Sequence, residues 1–218
     1  MDEKAGRLVT SAKVLTPEKF AQESGLDDDC LERLNAMDKV FLDWSSRHNL
    51  VAKSTIEGRW HRHYLDSAQI LKFIPGDSEQ IVDLGSGAGF PGLIIAAARP
   101  SARVTLIESV GKKAAFLTAA ADAMGLREIR ITHDRIEKVK LPHEPQIITA
   151  RALARLAKLL AYGHGIQGEN TKYVLMKGQD VDVELTQAAK SWHMSVKQHQ
   201  SRTDPSGVIL EISNLTRG

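Results

Sequence analysis

Cysteine is nearly absent, since Cys30 is the only one among 218 residues. One cysteine excludes a disulfide framework and a cysteine zinc cluster. Its acidic neighbours, Asp27 to Asp29, disfavour a thiolate, so cysteine-nucleophile chemistry is not expected either. The longest apolar run, Leu93 to Ala98, is far shorter than the roughly 20 residues of a membrane helix. With Asp2 and Glu3 at the start and no signal-peptide character, we expect a cytoplasmic protein without membrane contact or bound metal.

A strong net charge is also missing. The 29 Lys and Arg residues against 27 Asp and Glu give a net charge of +2, so bulk charge indicates no polyanionic partner. Charge is nevertheless uneven along the chain. Residues 47–72 hold five Lys and Arg against two acids, and residues 151–177 hold five against one. These segments are either solvated helix surfaces or a basic face that contacts nucleic acid.

Hydrophobic periodicity divides the chain in two. Apolar residues recur at three- and four-residue steps up to Pro75-Gly76, which predicts a helical cap over residues 1–76. Residues 77–218 then alternate short apolar runs with helical patterns, which predicts a parallel, doubly wound α/β sheet. The strands are expected at 80–84, 103–108, 128–133, 146–150 and 172–176, and the helices at 92–99, 112–124, 153–162 and 181–191. Two last strand-like stretches, 194–200 and 208–212, flank a turn signal at 204–207 and predict an antiparallel hairpin.

The most informative stretch is a glycine loop at residues 81–92, Ile-Val-Asp-Leu-Gly-Ser-Gly-Ala-Gly-Phe-Pro-Gly. It follows a predicted strand and precedes a predicted helix, so its glycines let the backbone approach a ligand. Glu108 ends the next strand, where a carboxylate can hold the two ribose hydroxyls of an adenosine. Gly85, Gly87, Gly89 and Glu108 are therefore expected to bind an adenosine-containing molecule.

Two ligand classes fit this loop, a nicotinamide dinucleotide and S-adenosylmethionine. A dinucleotide fingerprint requires glycine at the position of Phe90. Asp83 would repel a pyrophosphate but can orient the loop or meet the cationic methionine moiety of S-adenosylmethionine. The C-terminal hairpin also favours a methyltransferase, whose sheet typically ends in one. An oxidoreductase on the same fold is the alternative, and a non-catalytic RNA-binding module is disfavoured by the intact loop.

The segment after the fourth strand bears on which atom is methylated. It reads Thr149-Ala150-Arg151-Ala152, without the Pro-Pro-aromatic run of enzymes that methylate exocyclic amines. Carbon-5 methylation of pyrimidines requires a cysteine, and ribose methylation often uses a carboxylate here. A ring nitrogen with a free lone pair, such as guanine N7, then fits best, because no proton leaves and no general base is needed. Another RNA or a small molecule stays open as acceptor, and Arg151 is the expected acceptor-positioning residue.

Several motifs, in order, resemble those of the bacterial 16S rRNA guanine-N7 methyltransferases, also called glucose-inhibited division protein B. The resemblance covers roughly residues 40–215 and rests on Trp44 with His48-Asn49-Leu50, Arg62-His63-Tyr64-Leu65-Asp66-Ser67, Asp83 to Gly92, Lys112-Lys113 with Phe116-Leu117, Thr149 to Ala152, and Met176-Lys177-Gly178. Ser45-Ser46 replaces Asn-Lys, Ala52 stands where Thr or Ser is usual, and Glu108 replaces Asp. None of these departures removes a donor-site group, although the first bears on RNA contacts.

The resemblance implies a class I methyltransferase core, a seven-stranded Rossmann-like sheet with an antiparallel last strand pair, behind an N-terminal helical extension. It implies S-adenosylmethionine as donor, no metal, and a guanosine in the 530 loop of 16S rRNA, free or in the small ribosomal subunit, as acceptor. A monomer is expected. The donor residues it implies are Asp83, Gly85, Gly87, Gly89, Phe90, Glu108, Ile136, Glu137 and Arg151. The RNA-side residues it implies are Asn49, Arg62, His63, Arg135 and Lys177.

Overall fold

The computed structural model describes residues 14–218. Its elements are helices α1 (Pro17–Ser24), α2 (Asp28–Arg47), α3 (Asp66–Ala68), α4 (Gly92–Ala98), α5 (Gly111–Ala123), α6 (Leu156–His164) and α7 (Val181–Ala188), and strands β1 (Gln80–Leu84), β2 (Arg103–Ile107), β3 (Ile129–Thr132), β4 (Ile147–Arg151), β5 (Lys172–Lys177), β6 (Trp192–Gln200) and β7 (Val208–Arg217). Short 3₁₀ turns lie at Lys53–Thr55 and Ile136–Lys138. Within the described range no helix is both long and apolar enough to cross a membrane.

The seven strands form one sheet in the order β3-β2-β1-β4-β5-β7-β6. All neighbouring pairs from β3 to β5 are parallel, whereas β7 runs antiparallel to both β5 and β6. The predicted fold class, with its antiparallel last strand pair, is therefore confirmed. The order of the strands in the sheet reverses between β1 and β4, so the carboxyl ends of these two parallel strands border the crevice where ligands of such sheets bind.

Helices cover both faces of the sheet. Alternate residues of β1 show this arrangement, because Ile81 packs with α2, α4 and α5, while Val82 packs with α6 and α7. The helical residues before β1 share the first of these two cores. Phe41 of α2 contacts Phe116 of α5 edge-on, with ring centroids 6.3 Å apart. Arg99, after α4, donates to the carbonyls of Leu71, Ile74 and Pro75, which fastens the end of the cap to the sheet domain.

Helix starts follow the expected capping chemistry. Thr16 accepts from the backbone N–H of Lys19 and Pro17 opens α1, while Asp27 accepts from Cys30 N at 2.8 Å and opens α2. Cys30 is itself buried, and this burial, with Asp27 next, raises the pKa of its thiol to about 11. The expectation that the cysteine is not a nucleophile is borne out by this environment.

The largest departures from the predicted element bounds are three, and most other ends differ by one to three residues. The amphipathic stretch 60–73 is a π turn (Trp60–Leu65), then α3, then a 3₁₀ turn (Gln69–Phe73), and not one regular helix. Helix α6 begins at Leu156 and not at 153, since Ala152 and Leu153 line the ligand crevice and Arg155, the N-cap, is extended. Strand β7 continues to Arg217, five residues past its predicted end at 212, since β6 pairs with it along that length. Residues 1–13 of the predicted 1–76 cap lie outside the described residues.

Candidate active site

The glycine loop takes the conformation that its sequence predicts. Gly85 and Gly87 have φ values of 63° and 56°, which side chains rarely tolerate. A Cβ at Gly92, where α4 begins, would lie 2.3 Å from a methyl of Leu106 and 2.8 Å from Asp83 Oδ2. Glycine at position 92 thus lets the first turn of α4 sit directly on the sheet, which brings the loop to the carboxyl end of β1.

Glu108 supports the loop from the neighbouring strand. Its Oε2 accepts from Gly87 N at 2.9 Å, and its Oε1 accepts from Val110 N at 2.7 Å. The carboxylate is only 6% exposed, so two backbone donors fix its orientation. Each carboxylate oxygen has a further lone pair, so the group can still accept two hydroxyl donors.

A cleft of about 310 Å³ opens in front of this carboxylate, and we call it the donor cleft. Four strand ends and loops and the helices α5 and α6 line it: Gly85, Gly87, Glu108, Arg135, Ile136, Glu137, Ala152 and Leu153, with Ser109, Lys113, Asp134 and Tyr162. The structure thus brings together five of the predicted donor residues. Arg135, expected on the RNA side, lines the same cleft. Ser109 and Tyr162 were not predicted, because nothing in their local pattern distinguishes them from surface residues, and Lys113 was part of a family motif without an expected place at the donor.

Other predicted donor residues lie beneath the loop. Asp83 is fully buried, and its Oδ1 accepts from Thr149 Oγ1 at 2.7 Å, while Oδ2 has no hydrogen-bond partner among the described residues. Burial raises the pKa of this carboxyl to about 6, against the opposing effect of the Thr149 bond. Gly89 is buried with φ 83°, and Phe90 is 4% exposed. These three support the loop from below in this conformation.

Phe90 forms the floor under Arg151. The ring stacks on His63 with centroids 5.2 Å apart and an interplanar angle of 25°. The guanidinium of Arg151 lies over the same ring, 5.2 Å from its centroid. Arg151 ends β4, where its position follows from the parallel register of β4 with β1. A cation held over an aromatic face has little rotational freedom, so Phe90 helps to orient the guanidinium.

Arg151 also joins the sheet to the helical cap. Its Nη1 donates to Asp66 Oδ2 at 3.1 Å and to the carbonyl of Arg62 at 3.4 Å, and its Nη2 donates to His63 Nδ1 at 3.3 Å. Burial lowers the pKa of the guanidinium, and Asp66 opposes that shift. Two N–H groups, Nε–H and one on Nη2, have no acceptor among residues 14–218. Arg151 therefore retains a donor edge for a ligand.

His63 is held in one neutral tautomer. Nε2 lies 2.9 Å from Thr55 Oγ1, and Nδ1 accepts from Arg151. Burial first, then Arg151 and Arg62, lower the pKa of this imidazole to about 3. An imidazole with such a pKa stays uncharged at neutral pH, and both its nitrogens are already engaged. The expected RNA contact of His63 stays a prediction, since its ring lies 92% covered in the wall beside Arg151.

A second cleft, of about 200 Å³, lies on the other side of Arg151, and we call it the acceptor cleft. It is lined by Asp66, Gln69, Arg151, Ala152, Met176, Lys177, Gly178, Ser201, Asp204, Gly207, Val208 and Ile209. Ala152 lines both clefts and has a positive φ of 52°, a conformation that costs energy for a residue with a side chain. The two clefts therefore meet at Ala152, the residue after Arg151, at the crevice between β1 and β4.

The remaining RNA-side residues are differently placed. Lys177 lines the acceptor cleft, but its Nζ pairs with Glu184 at 2.6 Å and donates to the carbonyl of Ala154 at 2.9 Å. Arg62 is exposed beside the same cleft, and Asn49 is exposed in the turn after α2. Within residues 14–218, no group of three metal-ligating side chains stands close enough together to hold an ion.

Two tryptophans, Trp44 and Trp60, pack within the cap or against the sheet domain. Trp60 is 3% exposed and stacks on Tyr64, with centroids 4.2 Å apart. Trp44 is half-buried and contacts Phe116 edge-on. Both therefore serve the hydrophobic core in this conformation, which agrees with the packing role that the helical stripes predict.

Comparison with known proteins decides the family. The family model described as rRNA small subunit methyltransferase G matches residues 31–208. A protein named Ribosomal RNA small subunit methyltransferase G from Rhodospirillum rubrum is 42% identical over 204 residues, which is 93% of this chain and all of that protein. The protein of the same name from Paramagnetospirillum magneticum is 37% identical, over 93% of this chain and 97% of its own. The chain belongs to the rRNA small subunit methyltransferase G family.

Solved structures agree on the fold. A SAM-dependent methyltransferase from Aquifex aeolicus superposes with a TM-score of 0.57 at 14% identity, over 78% of this chain and 97% of that one. Family membership confirms the prediction of an S-adenosylmethionine-dependent methyltransferase and overturns the nicotinamide alternative. Together with the intact residues of the donor cleft, family membership also rules against a non-catalytic RNA-binding module.

Proposed function

We propose that this protein transfers a methyl group from S-adenosylmethionine to N7 of a guanosine in the 530 loop of 16S rRNA. The observation that carries this proposal is the junction of the two clefts at Ala152, with Arg151 next to it in the acceptor cleft. One cleft has the features of an adenosine site, and the other is a separate space of the size of a single base. At about 200 Å³, the acceptor cleft is smaller than the roughly 300–1,000 Å³ typical of sites for drug-sized ligands.

The donor cleft accounts for each part of the methyl donor. Glu108 accepts the two ribose hydroxyls, with its orientation already set by Gly87 and Val110. Ile136 packs on the adenine, and Glu137 or its backbone meets the adenine edge, since both line the cleft beyond β3. The loop at Gly85 and Gly87 lets the backbone approach the methionine moiety. The sulfonium methyl then points towards Ala152 and the acceptor cleft.

The reaction moves no proton. The N7 lone pair of guanine attacks the methyl carbon, and the carbon–sulfur bond breaks with its electron pair left on sulfur. S-adenosylhomocysteine is released, and the positive charge passes from the sulfonium to the purine. Catalysis is then a matter of holding N7, carbon and sulfur in line, with reacting atoms about 3–3.5 Å apart.

The side chains around Arg151 support a mechanism without a general base. Neutral His63 has both nitrogens bonded, and both oxygens of Asp66 accept hydrogen bonds. Asp83 is fully buried beneath the glycine loop. Arg151 acts through its free Nε–H and Nη2–H edge, which suits guanine O6 or a backbone phosphate. It positions the acceptor and does not meet the methyl group.

The RNA would approach over the cap and the C-terminal hairpin, where Arg62 and the rim of the acceptor cleft are exposed. Arg62, Arg135 and Asn49 are the residues we assign to RNA contact. Lys177 and His63 act behind them, because ion pairing and burial leave little of either side chain free. We infer that 16S rRNA, free or in the small subunit, is the partner of a monomeric, cytoplasmic enzyme. The described part of the cap (14–76) and the core (77–218) act together, since they share a hydrophobic core.

The test uses purified protein, S-adenosylmethionine and 16S rRNA or small subunits from cells that lack this activity. The product is mapped by borohydride reduction and aniline cleavage, which cut the chain at N7-methylguanosine. We expect one cleavage site, in the 530 loop, and a much weaker signal there with the Glu108→Ala variant when the donor concentration is near the Kd of the unmodified protein. Methylation at an exocyclic amine, at a ribose or at another guanosine would overturn the proposal. The substrate form that reacts faster identifies the assembly state on which the enzyme acts.

A further inference from the structure

The far wall of the acceptor cleft is the turn between β6 and β7, residues 201–207, which we call the hairpin turn. Its position relative to Arg151 is fixed by the cap. Gln69 Nε2 lies within hydrogen-bond distance of Ser201 Oγ at 3.0 Å and Thr203 Oγ1 at 3.1 Å, and Gln69 Oε1 accepts from Arg202 N at 2.9 Å. Gln69 is 6% exposed, so these bonds are shielded from water.

The same network reaches Arg151 through one carboxylate. Asp66 Oδ1 accepts from Gln69 Nε2 at 2.8 Å and from the hydroxyl of Thr203, and Oδ2 accepts from Arg151. The two opposite walls of the acceptor cleft are thus tied to a single residue of α3. Hydrogen-bonding groups on the two walls therefore stand at a fixed distance from each other. A base that binds between the walls can be recognised by the donors and acceptors on its edges only if that distance is fixed.

Asp204 is the carboxylate that this turn presents to the cleft. Its Oδ1 accepts from Ser206 N at 2.8 Å and from Ser206 Oγ at 2.7 Å, so one oxygen caps the turn. Its Oδ2 has no hydrogen-bond donor among the described residues, and the side chain is exposed. Those two bonds lower the pKa of the carboxyl, so it is ionised at neutral pH. Asp66, the other carboxylate of the cleft, has no oxygen free of a partner.

An ionised carboxylate in a cleft that admits RNA is unfavourable unless it meets donors, because it repels phosphates. The Watson–Crick edge of guanine offers such donors, N1–H and the N2 amine. Adenine presents an acceptor at N1, which a carboxylate cannot bond. With Arg151 at the O6 side of the base, the opposite wall faces N1 and N2.

We propose that Asp204 selects guanine in the acceptor cleft by accepting hydrogen bonds from N1–H and the N2 amine. The inference rests on the proposed function. Asp204 also contributes to catalysis, because the guanine ring becomes positively charged when N7 gains the methyl group. N1–H is then a stronger donor, and its bond to Asp204 strengthens as the transition state is reached. Asp204 therefore acts on both the choice of base and the rate.

The test compares 16S rRNA carrying guanosine or inosine at the target position, since inosine lacks only the N2 amine. The variant is Asp204→Asn. Its Oδ1 can keep both bonds from Ser206, while the amide NH2 that replaces Oδ2 donates and cannot accept. Asp122→Asn, an exposed carboxylate in the last turn of α5, is the matched control. Donor affinity is measured for each protein to verify folding.

For the unmodified protein we expect kcat/KM about ten- to hundredfold lower on inosine RNA than on guanosine RNA, the effect of one lost bond to a charged group. Asp204→Asn should lower kcat/KM on guanosine RNA by a similar factor and should react equally well with the two RNAs. Asp122→Asn should keep both the kcat/KM on guanosine RNA and the preference for guanosine over inosine. Equal rates of the unmodified protein on the two RNAs would overturn the assignment and leave the proposed function standing. An unchanged preference in Asp204→Asn would do the same. A failure to methylate guanosine RNA at N7 would instead overturn the proposed function, and the role of Asp204 with it.

Discussion

Replacing Glu108 by alanine tests the donor site most directly. In the free protein the carboxylate holds two backbone N–H groups, from Gly87 and Val110, at 2.9 and 2.7 Å. With the donor bound it also accepts the ribose hydroxyls. The first two bonds exist with or without donor, so their loss lowers the free energy of unfolding of the free protein. Only the ribose bonds, and any loss of loop order, appear in the donor affinity.

Hydrogen bonds to a charged group contribute about 1.5–3 kcal/mol each. Because water replaces part of the ribose contact in this open cleft, we expect Glu108→Ala to weaken donor binding by about 1.5–3 kcal/mol in total, or roughly 10- to 150-fold in Kd. Glu108→Gln should lose less, since its carbonyl oxygen still accepts and its size is unchanged. Calorimetric titration of the free protein with S-adenosylmethionine gives these values without any RNA.

The control is Glu128→Ala. Glu128 lies on the surface before β3, where it pairs with Arg103 at 3.7 Å with both side chains about half exposed. Such a pair contributes little, so neither donor affinity nor stability should change by more than about 1 kcal/mol. A Kd for Glu108→Ala equal to that of the unmodified protein, with the thermal transition intact, would refute the assignment of Glu108 to the ribose.

Further predictions concern the acceptor side, the pH profile and the core. Arg151→Ala should reduce the single-turnover methylation rate strongly and leave the donor Kd largely unchanged. Arg151→Lys should recover only part of the rate, because the planar donor edge is lost. A full recovery would show that charge alone matters. The single-turnover rate should be nearly flat from about pH 6 to 9, since no acid–base pair takes part, and a bell-shaped profile would contradict that mechanism. The pKa of His63 falls from 6.5 to about 3 on folding, so the unfolded chain binds the extra proton and stability should decline as pH falls through that range. In urea unfolding at a series of pH values, His63→Gln should give a shallower decline, and an equal slope would argue against a buried neutral imidazole. Phe41→Ala should lower the free energy of unfolding by about 3–5 kcal/mol, because it opens a cavity between the cap and the sheet. A single unfolding transition is expected, because the cap and the sheet share that core. A second transition would show that the cap folds independently.

The sequence by itself determined the parts of the protein that depend on neighbouring residues. The change of hydrophobic period near Pro75, the glycines between β1 and α4, and an acid at the end of β2 are each local. They lead to a parallel sheet with an adenosine site because parallel strands and short right-handed crossovers leave few arrangements. The turn signal at 204–207 likewise located the hairpin. Its strand lengths were underestimated, since the pairing partner of a strand is not a local property.

Only the tertiary structure decided which side chains meet. Asp66 and Arg151 are 85 residues apart, and Gln69 and Ser201 are 132 apart, so no periodicity connects them. The motif around Asp66 marked those residues as important without showing that they hold the acceptor arginine and the hairpin turn. His63 was expected on the RNA side, and the sequence could not show its burial, because a histidine on a helical stripe has the same pattern whether it faces solvent or a buried arginine. Its pKa, the free edge of Arg151 and the two clefts that meet at Ala152 all arise from burial and distance, and these are fixed only when the cap packs on the sheet.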